Sequence, residues 1–288
     1  MARTTYRPAA AAAWMLGSIA GFSALAVSGR QIGTTLDTFE IMLYRSLIGV
    51  AVVAAAAVAT GRRGQLRARD MRLHLLRNTL HFAGQNLWLY ALPLIPLAQL
   101  FALEFSSPVM VALAAPLVLH ERLTPTRLLS AALGFAGVLV VARPGAAGGL
   151  SAGAVAALLC AVSFAATALV TKRLTERAPV LAILFWLALI QSALGLITAG
   201  WDGVIALPGP ANLPWLVLLG LSGLAAHLGL TKALSLAPAS VVTPLDFLRL
   251  PLIALVGMAF YDEPLDPLVF VGGAVIFAAN WMNIRART

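Results

Sequence analysis

Apolar residues fill ten long stretches of this chain, and short polar segments separate them. The stretches run over about 9–29, 38–60, 75–93, 98–118, 126–142, 151–171, 180–200, 214–235, 240–260 and 267–284. Each approaches the roughly 20 residues that a helix needs to cross the hydrocarbon core of a bilayer. The pattern therefore predicts an all-α membrane protein with ten transmembrane helices, which we number as spans 1 to 10.

The sequence also repeats itself at one constant offset, which places the first half on the second half without a gap. The matching positions include Phe22 with Phe164, Glu104 with Asp246, and Glu121 with Glu263. This period is too long for a solenoid repeat, and two copies with five spans each must cross the membrane in opposite directions. We therefore predict two domains, residues 1–142 and 143–288, arranged as the inverted five-helix repeats that many secondary transporters share.

Composition supports a membrane location, because 60% of the residues are hydrophobic and only 11% are charged, against about 25% charged in soluble domains. The net charge of +9 is explained by the positive-inside rule. In the loops and at the span ends, sixteen Lys and Arg residues fall on the side of the N-terminus, and two, Arg30 and Arg143, fall on the other side. Both termini are therefore predicted to be cytoplasmic, in a bacterial inner membrane. The basic run 62–77 fits this rule, with a patch for nucleic acid or anionic lipid as the alternative.

Local features add detail to the predicted bundle. Span 1 matches an internal span in the repeat, which argues against a cleaved signal peptide. The single Cys160 rules out a disulfide framework. Prolines predict that spans 4 and 9 are the bent helices: Pro93, Pro96, Pro108 and Pro116, then Pro238, Pro244 and Pro251. Small residues predict close helix packing within the bundle, with dimerisation as the alternative: Gly17, Gly21, Gly134, Gly137, Gly220, Gly223, Gly272 and Gly273.

Four charged residues lie inside the spans, namely Arg45, Glu104, Asp246 and Arg249. Each costs about 2.5–3.5 kcal/mol at the centre of a membrane helix, so each requires a reason. Counting residues from the helix ends places Arg45 level with Glu104. One interpretation is an amino-acid site, with a carboxylate for the ammonium group and an arginine for the carboxylate. The alternative is structural pairing of Arg45 with Glu104 and of Asp246 with Arg249.

Span 3 carries a polar stripe of Asn78, His81, Gln85 and Trp88, whose spacing places them on one helix face. Lipid tolerates such groups poorly, so this face should point into the bundle, with Trp88 level with Glu104. The predicted substrate site is completed by residues of other spans: Glu104, His81, Gln85, Trp88, Trp14, His227, Asp246, Arg249 and Arg45. The two histidines serve either in packing or in handling substrate and protons. No metal and no cofactor are expected.

Three motifs resemble those of the drug/metabolite transporter superfamily, specifically its EamA-type family of ten-helix carriers. They are Ala91–Pro96 with Ala233–Pro238, His120–Thr124 with Asp262–Leu265, and Tyr44-Arg45-Ser46. The resemblance covers essentially the whole chain. It implies that spans 3, 4, 8 and 9 surround a central cavity, that spans 1, 2, 6 and 7 act as gates, and that spans 5 and 10 are peripheral. It also implies structural capping by Glu121 and Glu263. Glu104, Asp246 and Arg249 are a departure from the family pattern, which weakens any inference of a neutral, drug-like solute.

Together these features predict a secondary transporter, not an enzyme, that moves a small polar or zwitterionic metabolite by alternating access. Amino-acid export is the leading hypothesis, with protons as the coupling ion or with facilitated diffusion. The alternative is uptake or exchange of a larger metabolite, such as a nucleotide precursor or a vitamin. Neither a catalytic set nor a phosphate loop is recognisable, and paired charges do not form a channel filter. The expected partners are the solute and the bilayer, without nucleic acid; the chain is expected to be a monomer, with a dimer as the alternative.

Overall fold

The computed structural model describes residues 7–33, 35–67, 69–119, 125–143, 150–175, 177–236, 245–246 and 248–285. Within these ranges the chain is helical and contains no strand. The helices are α1 Pro8–Ile32, α2 Thr38–Ala59, α3 Met71–Ala91, α4 Leu97–Glu104, α5 Ser107–Leu119, α6 Pro125–Ala142, α7 Ala152–Thr175, α8 Val180–Ala199, α9 Leu213–Leu236, α10 Arg249–Tyr261 and α11 Pro267–Arg285. A 3₁₀ turn, Arg63–Leu66, precedes α3.

Local sequence explains several of the helix ends. Three helices begin with a proline, at Pro8, Pro125 and Pro267, because the first helical position does not need the missing N–H group. At the start of α2, the Asp37 side chain accepts from the Glu40 backbone N–H, and the Glu40 side chain accepts in return. This capping box satisfies donors that would otherwise face the membrane interface without partners.

The helix bounds repeat at the same offset as the sequence. Helix α2 begins at residue 38 and α8 at 180, while α3 begins at 71 and α9 at 213. The shorter helices agree in both bounds, since α5 covers 107–119 and α10 covers 249–261. Equivalent sequence positions in the two halves therefore start these helices at the same places, while the ends of the longer helices differ by a few residues.

The packing of the helices follows a pattern that is unchanged when each helix is exchanged for its counterpart in the other half. Helix α1 packs on α9, and α3 packs on α7 in the equivalent way. Counterparts also pack directly on each other, as α2 on α8 and α6 on α11. Small residues permit these approaches: an added Cβ at Gly137 would lie 2.8 Å from the Gly272 carbonyl oxygen. Glycines thus serve packing within the chain, although Gly17 has open space around it.

Span 4 is interrupted at its middle, as its prolines predict. Helix α4 ends at Glu104 and α5 begins at Ser107. Pro108, at the second position of α5, has no N–H group to offer to the preceding turn. The Ser106 hydroxyl instead donates to the Leu103 carbonyl oxygen at 2.6 Å. The break leaves Glu104 at the end of a half-helix, in the interior of the bundle.

Span 9 has its described helix, α10, beginning at Arg249, with Asp246 just before it. Asp246 and Arg249 are therefore the counterparts of Glu104 and Ser107 at the break in span 4. Several predicted features lie outside the described residues: the segment His120–Thr124 with Glu121, and the prolines Pro238 and Pro244.

A largely buried ion pair ties the two halves together at one end of the bundle. Arg30 at the end of α1 pairs with Glu263, which follows α10. Arg30 also donates to the carbonyl oxygens of Leu92 and Ile95, at 2.9 and 2.8 Å. The second oxygen of Glu263 accepts from the Leu97 backbone N–H at 2.8 Å, which caps α4. Glu263 thus has the capping and anchoring role that its motif implies, and Arg30 is an interior anchor rather than a free charge in a loop.

Five described helices are long and apolar enough to cross a membrane: Ala9–Ile32, Thr38–Ala59, Ala152–Thr171, Val180–Ala199 and Leu213–Leu230. Shorter apolar helices accompany them, including Arg249–Tyr261. Large apolar side chains are exposed on the outside, such as Phe135 at 63% and Phe260 at 73%. An apolar exterior of this kind is what a lipid environment requires. The count of ten spans and the side on which the termini lie stay predictions.

Candidate functional site

The break in span 4 and the start of α10 bring three of the predicted charged residues together. An Arg249 guanidinium nitrogen, Nη2, lies 3.2 Å from Asp246 Oδ2 and 3.5 Å from Glu104 Oε1. The Arg249 side chain is 5% exposed and the Glu104 side chain 15%. The predicted pairing of Asp246 with Arg249 is therefore confirmed, and Glu104 joins it. We call Glu104, Asp246 and Arg249 the charged cluster.

Three phenylalanine rings surround the guanidinium group of Arg249. Its Cζ lies 4.6 Å from the ring centroid of Phe22, 4.9 Å from that of Phe101 and 4.8 Å from that of Phe105. These distances are within the range of cation–π attraction. Phe22 comes from α1, Phe101 from α4 and Phe105 from the break in span 4, while the His227 ring of α9 meets Phe22 edge-on at 5.4 Å. Rings of the first half therefore enclose a positive charge that the second half carries.

The two carboxylates of the charged cluster differ in how fully they are bonded. Glu104 Oε2 accepts from the Trp88 indole N–H at 2.9 Å, so both Glu104 oxygens have a partner. This bond confirms that Trp88 and Glu104 lie at the same depth. Asp246 bonds only through Oδ2, and its Oδ1 is buried without a hydrogen-bond partner among the described residues. Glu104 is thus held in place on both sides, whereas Asp246 keeps one free acceptor.

Arg45 lies in a different group and does not pair with Glu104. Its guanidinium donates to the Gln85 side-chain oxygen. Arg45 also lines a small cavity of about 40 Å³ between α2, α8 and α9, beside Ser46, Gln191 and His227. Ser46 Oγ and Gln191 Nε2 are buried there without partners in the described part of the chain. The cavity therefore presents hydrogen-bond donors, which suit a ligand group rich in acceptors.

The polar stripe of α3 points into the bundle, as predicted. Asn78 is fully buried, and His81 and Trp88 are each 6% exposed. Neither ring nitrogen of His81 has a partner among the described residues, and its ring lies 5.5 Å from that of Phe164. His81 is therefore packed beside an aromatic ring with two polar atoms unused.

One aromatic residue of the predicted site lies elsewhere. Trp14 is 41% exposed, so the structure does not bring it to the charged cluster. Trp14 is on the outer surface of α1, where an aromatic ring suits a lipid boundary. Of the nine predicted site residues, Glu104, Trp88, Asp246 and Arg249 form one interior group. Arg45, Gln85 and His227 lie around or beside the small cavity, and His81 packs on Phe164.

Sequence reasoning missed three residues that contribute to the interior. The positive-inside count assigns Arg77 to a cytoplasmic loop, but it is 8% exposed and donates to Thr171 Oγ1 at 3.2 Å and Asn78 Oδ1 at 2.8 Å. Its position four residues before His81, on the same face of α3, is the available signal. Phe101 and Phe105 flank Glu104, and one helical turn separates Phe101 from it. Within the described residues, no three potential metal ligands come together.

Comparison with known proteins adds the family. The model of the EamA-like transporter family matches residues 9–143 and again residues 151–285. The chain belongs to the EamA-like transporter family. It is 26% identical to an S-adenosylmethionine uptake transporter of Rickettsia bellii, over 93% of this chain and 90% of that protein. It is 29% identical to a riboflavin transporter of Brucella anthropi, over 94% and 97%.

A relative with a different named function is a pseudopaline exporter of Pseudomonas aeruginosa, 27% identical over 90% of each chain. A protein of known crystal structure shares the fold, with 20% identity over 94% of both chains and a TM-score of 0.66. The chain is thus a multi-pass protein of the bacterial inner membrane and a transporter of the drug/metabolite type, not an enzyme. Its relatives carry small metabolites, in both directions across the membrane by their names.

Proposed function

We propose that this transporter carries a metabolite with a zwitterionic head group and an attached ring system, by alternating access between two inverted five-helix halves. The architecture is supported by the constant offset, which relates both the sequence and the helix bounds of the two halves. The division into 1–142 and 143–288, the ten spans and the cytoplasmic termini are part of the proposal. Inverted halves that exchange conformations expose a central site to one side at a time.

The observation that carries the proposal is the presence of two interior groups of opposite character. The charged cluster offers two carboxylates to a positive group. The cavity at Arg45 offers an arginine and two unpaired donors, Ser46 Oγ and Gln191 Nε2. An ammonium and a carboxylate on one solute would find matching partners in these two places.

The aromatic side chains favour a solute larger than an amino acid. Trp88, Phe101 and Phe105 lie at the charged cluster. The rings of His81 in α3 and Phe164 in α7 contact each other in the interior. Ring faces of this kind stack on planar groups. Amino-acid export, the hypothesis favoured by the sequence, receives no specific support from the relatives, which are named for S-adenosylmethionine, riboflavin and pseudopaline.

S-adenosylmethionine itself has the required chemistry, because it joins an amino-acid head group to a ring system. Riboflavin offers a planar ring system without the zwitterion, so it separates the two parts of the proposal. A free amino acid such as methionine offers the zwitterion without the ring system. These three solutes therefore test which part of the site selects the substrate.

The test is uptake of the three radiolabelled solutes into proteoliposomes, with and without a pH gradient. We expect saturable uptake of S-adenosylmethionine, with weaker competition by unlabelled riboflavin and methionine. Glu104→Gln should reduce it, while Trp14→Phe, at an exposed position, should leave it unchanged. Uptake of methionine alone would restore the amino-acid hypothesis, and uptake of none of the three, by protein shown to be folded, would contradict the proposed substrate class.

A further inference from the structure

The surroundings of Arg249 have the composition of a binding site for a cation. Three aromatic faces and two carboxylates converge on a position that is 4% exposed. Aromatic cages bind quaternary ammonium and similar groups, and carboxylates supply the opposite charge. Phe22, Phe101, Phe105, Glu104 and Asp246 together form what we call the cation cage. In this structure the protein's own guanidinium fills it.

Arg249 does not use the cation cage fully. Both carboxylates are reached by the same nitrogen, Nη2, at 3.2 and 3.5 Å, instead of through the two-pronged geometry that makes arginine–carboxylate pairs strong. Arg249 Nε is buried without a partner among the described residues, as is Asp246 Oδ1. A donor and an acceptor therefore remain unused inside one cage, which means that its walls do not match an arginine closely.

The position of Arg249 in its helix also disfavours a fixed charge. It is the first residue of α10, and the positive end of a helix dipole repels a cation. The counterpart position in span 4 is Ser107, a short neutral residue. The first turn of the helix at this position of the repeat therefore does not require an arginine, and the preceding turn residue Leu248 gives the Arg249 side chain a junction at which to move.

We propose that the cation cage is the site of a weakly hydrated organic cation, and that Arg249 is a tethered occupant which the cationic group of the substrate displaces. This inference rests on the proposed function and narrows its substrate class to solutes that carry a guanidinium, a substituted ammonium or a sulfonium group. Exchange of one cation for another keeps one positive charge between Glu104 and Asp246 throughout. Departure of Arg249 without a replacement leaves two buried carboxylates unpaired, which is strongly unfavourable.

The test empties the cage and refills it from solution. Arg249→Ala should melt at a lower temperature than the wild type in detergent, and millimolar methylguanidinium should restore the melting temperature along a saturable curve. At ten times its dissociation constant, the ligand should shift the folding equilibrium by a factor of about 11. Equal concentrations of sodium chloride should not do so. The matched control is Arg45→Ala, which also removes an interior arginine but leaves the cation cage filled.

Three outcomes would overturn the inference: no rescue of Arg249→Ala, an equal rescue of Arg45→Ala, or a rescue that survives the additional change Phe101→Leu. If Arg249→Ala does not fold, the same titration of Arg249→Gln, which also removes the charge but fills more of the space, replaces it, and a flat curve there has the same meaning. Transport is measured separately. Uptake of S-adenosylmethionine by the wild type without rescue of Arg249→Ala supports the proposed function and contradicts the cation cage. Rescue of Arg249→Ala without uptake by the wild type supports the cation cage and contradicts the proposed function.

Discussion

The unequal bonding of the two carboxylates makes a sharp prediction about amide substitutions. Glu104→Gln and Asp246→Asn each remove one negative charge beside Arg249 and preserve the shape of the side chain. Glu104 uses both oxygens, one for Arg249 at 3.5 Å and one for Trp88 at 2.9 Å. Asp246 uses only Oδ2, at 3.2 Å from Arg249. The two substitutions therefore differ in what they do to hydrogen bonds, although they do the same to charge.

A glutamine at position 104 has one acceptor oxygen and one amide nitrogen, so its amide group must face either Arg249 or the Trp88 indole N–H. In both orientations a donor meets a donor. A buried donor without an acceptor costs about 1–3 kcal/mol. An asparagine at position 246 adds no such conflict, because its oxygen can face Arg249. Its nitrogen replaces Oδ1, which already has no partner among the described residues, so the number of unpaired polar atoms stays the same. We expect Glu104→Gln to lower the free energy of unfolding by about 1–3 kcal/mol more than Asp246→Asn.

The assay is reversible unfolding of the two variants and the wild type in mixed detergent micelles, followed by circular dichroism. Only the difference between the variants matters, so the common loss of a charge cancels. Equal destabilisation would show that charge alone governs the cluster. Greater destabilisation by Asp246→Asn would refute the assignment of bonds to the two carboxylates. The double variant Glu104→Gln with Trp88→Phe should recover part of the loss, since the competing donor is then gone.

Other substitutions test the packing, the anchor and the cavity. Gly137→Ala should lower the free energy of unfolding by about 1–3 kcal/mol through overpacking. Gly17→Ala, in open space, should raise it by about 0.5–1 kcal/mol. Thermal melting compares the two variants, and equal effects would contradict the packing at Gly137. Glu263→Ala should cost about 3–5 kcal/mol by leaving Arg30 in the interior and unpaired, and an unchanged melting temperature would contradict the anchor. Arg45→Gln should raise the KM for uptake about tenfold or more; a lower kcat at unchanged KM would place Arg45 outside the substrate site.

Much of the fold follows from the sequence, because the internal repeat and the proline that interrupts span 4 can both be recognised there. The repeat is visible as matched residues at a constant offset, and several pairs of helices then begin at equivalent positions. The break in span 4 follows from Pro108, which removes a backbone donor. Charges near helix ends are less predictable. The positive-inside count places Arg30 and Arg77 in loops, because it contains no information about the carboxylate that pairs with Arg30 or the hydroxyl that accepts from Arg77 in the interior.

The depth of the site residues along their helices could be predicted from the sequence, but the direction in which their side chains point could not. Counting residues along straight helices places Trp88 level with Glu104, and they bond. The same counting places Arg45 level with Glu104, but Arg45 turns toward Gln85 and the cavity between α2, α8 and α9. Rise along a helix is fixed at about 1.5 Å per residue, whereas the direction of a side chain around the bundle depends on how whole helices pack. That information lies in contacts between the two halves.

The difference between Ser107 and Arg249 at equivalent positions has a consequence for how such a chain could have arisen. A doubled gene starts as two identical copies, and a homodimer of either copy would have been equivalent to the joined chain. Two copies of the present first half would bring two glutamates together with no arginine between them. Two copies of the second half would bring two arginines into one small space. Because the arginine is present on one side alone, neither half of this chain can replace the other in the charged cluster.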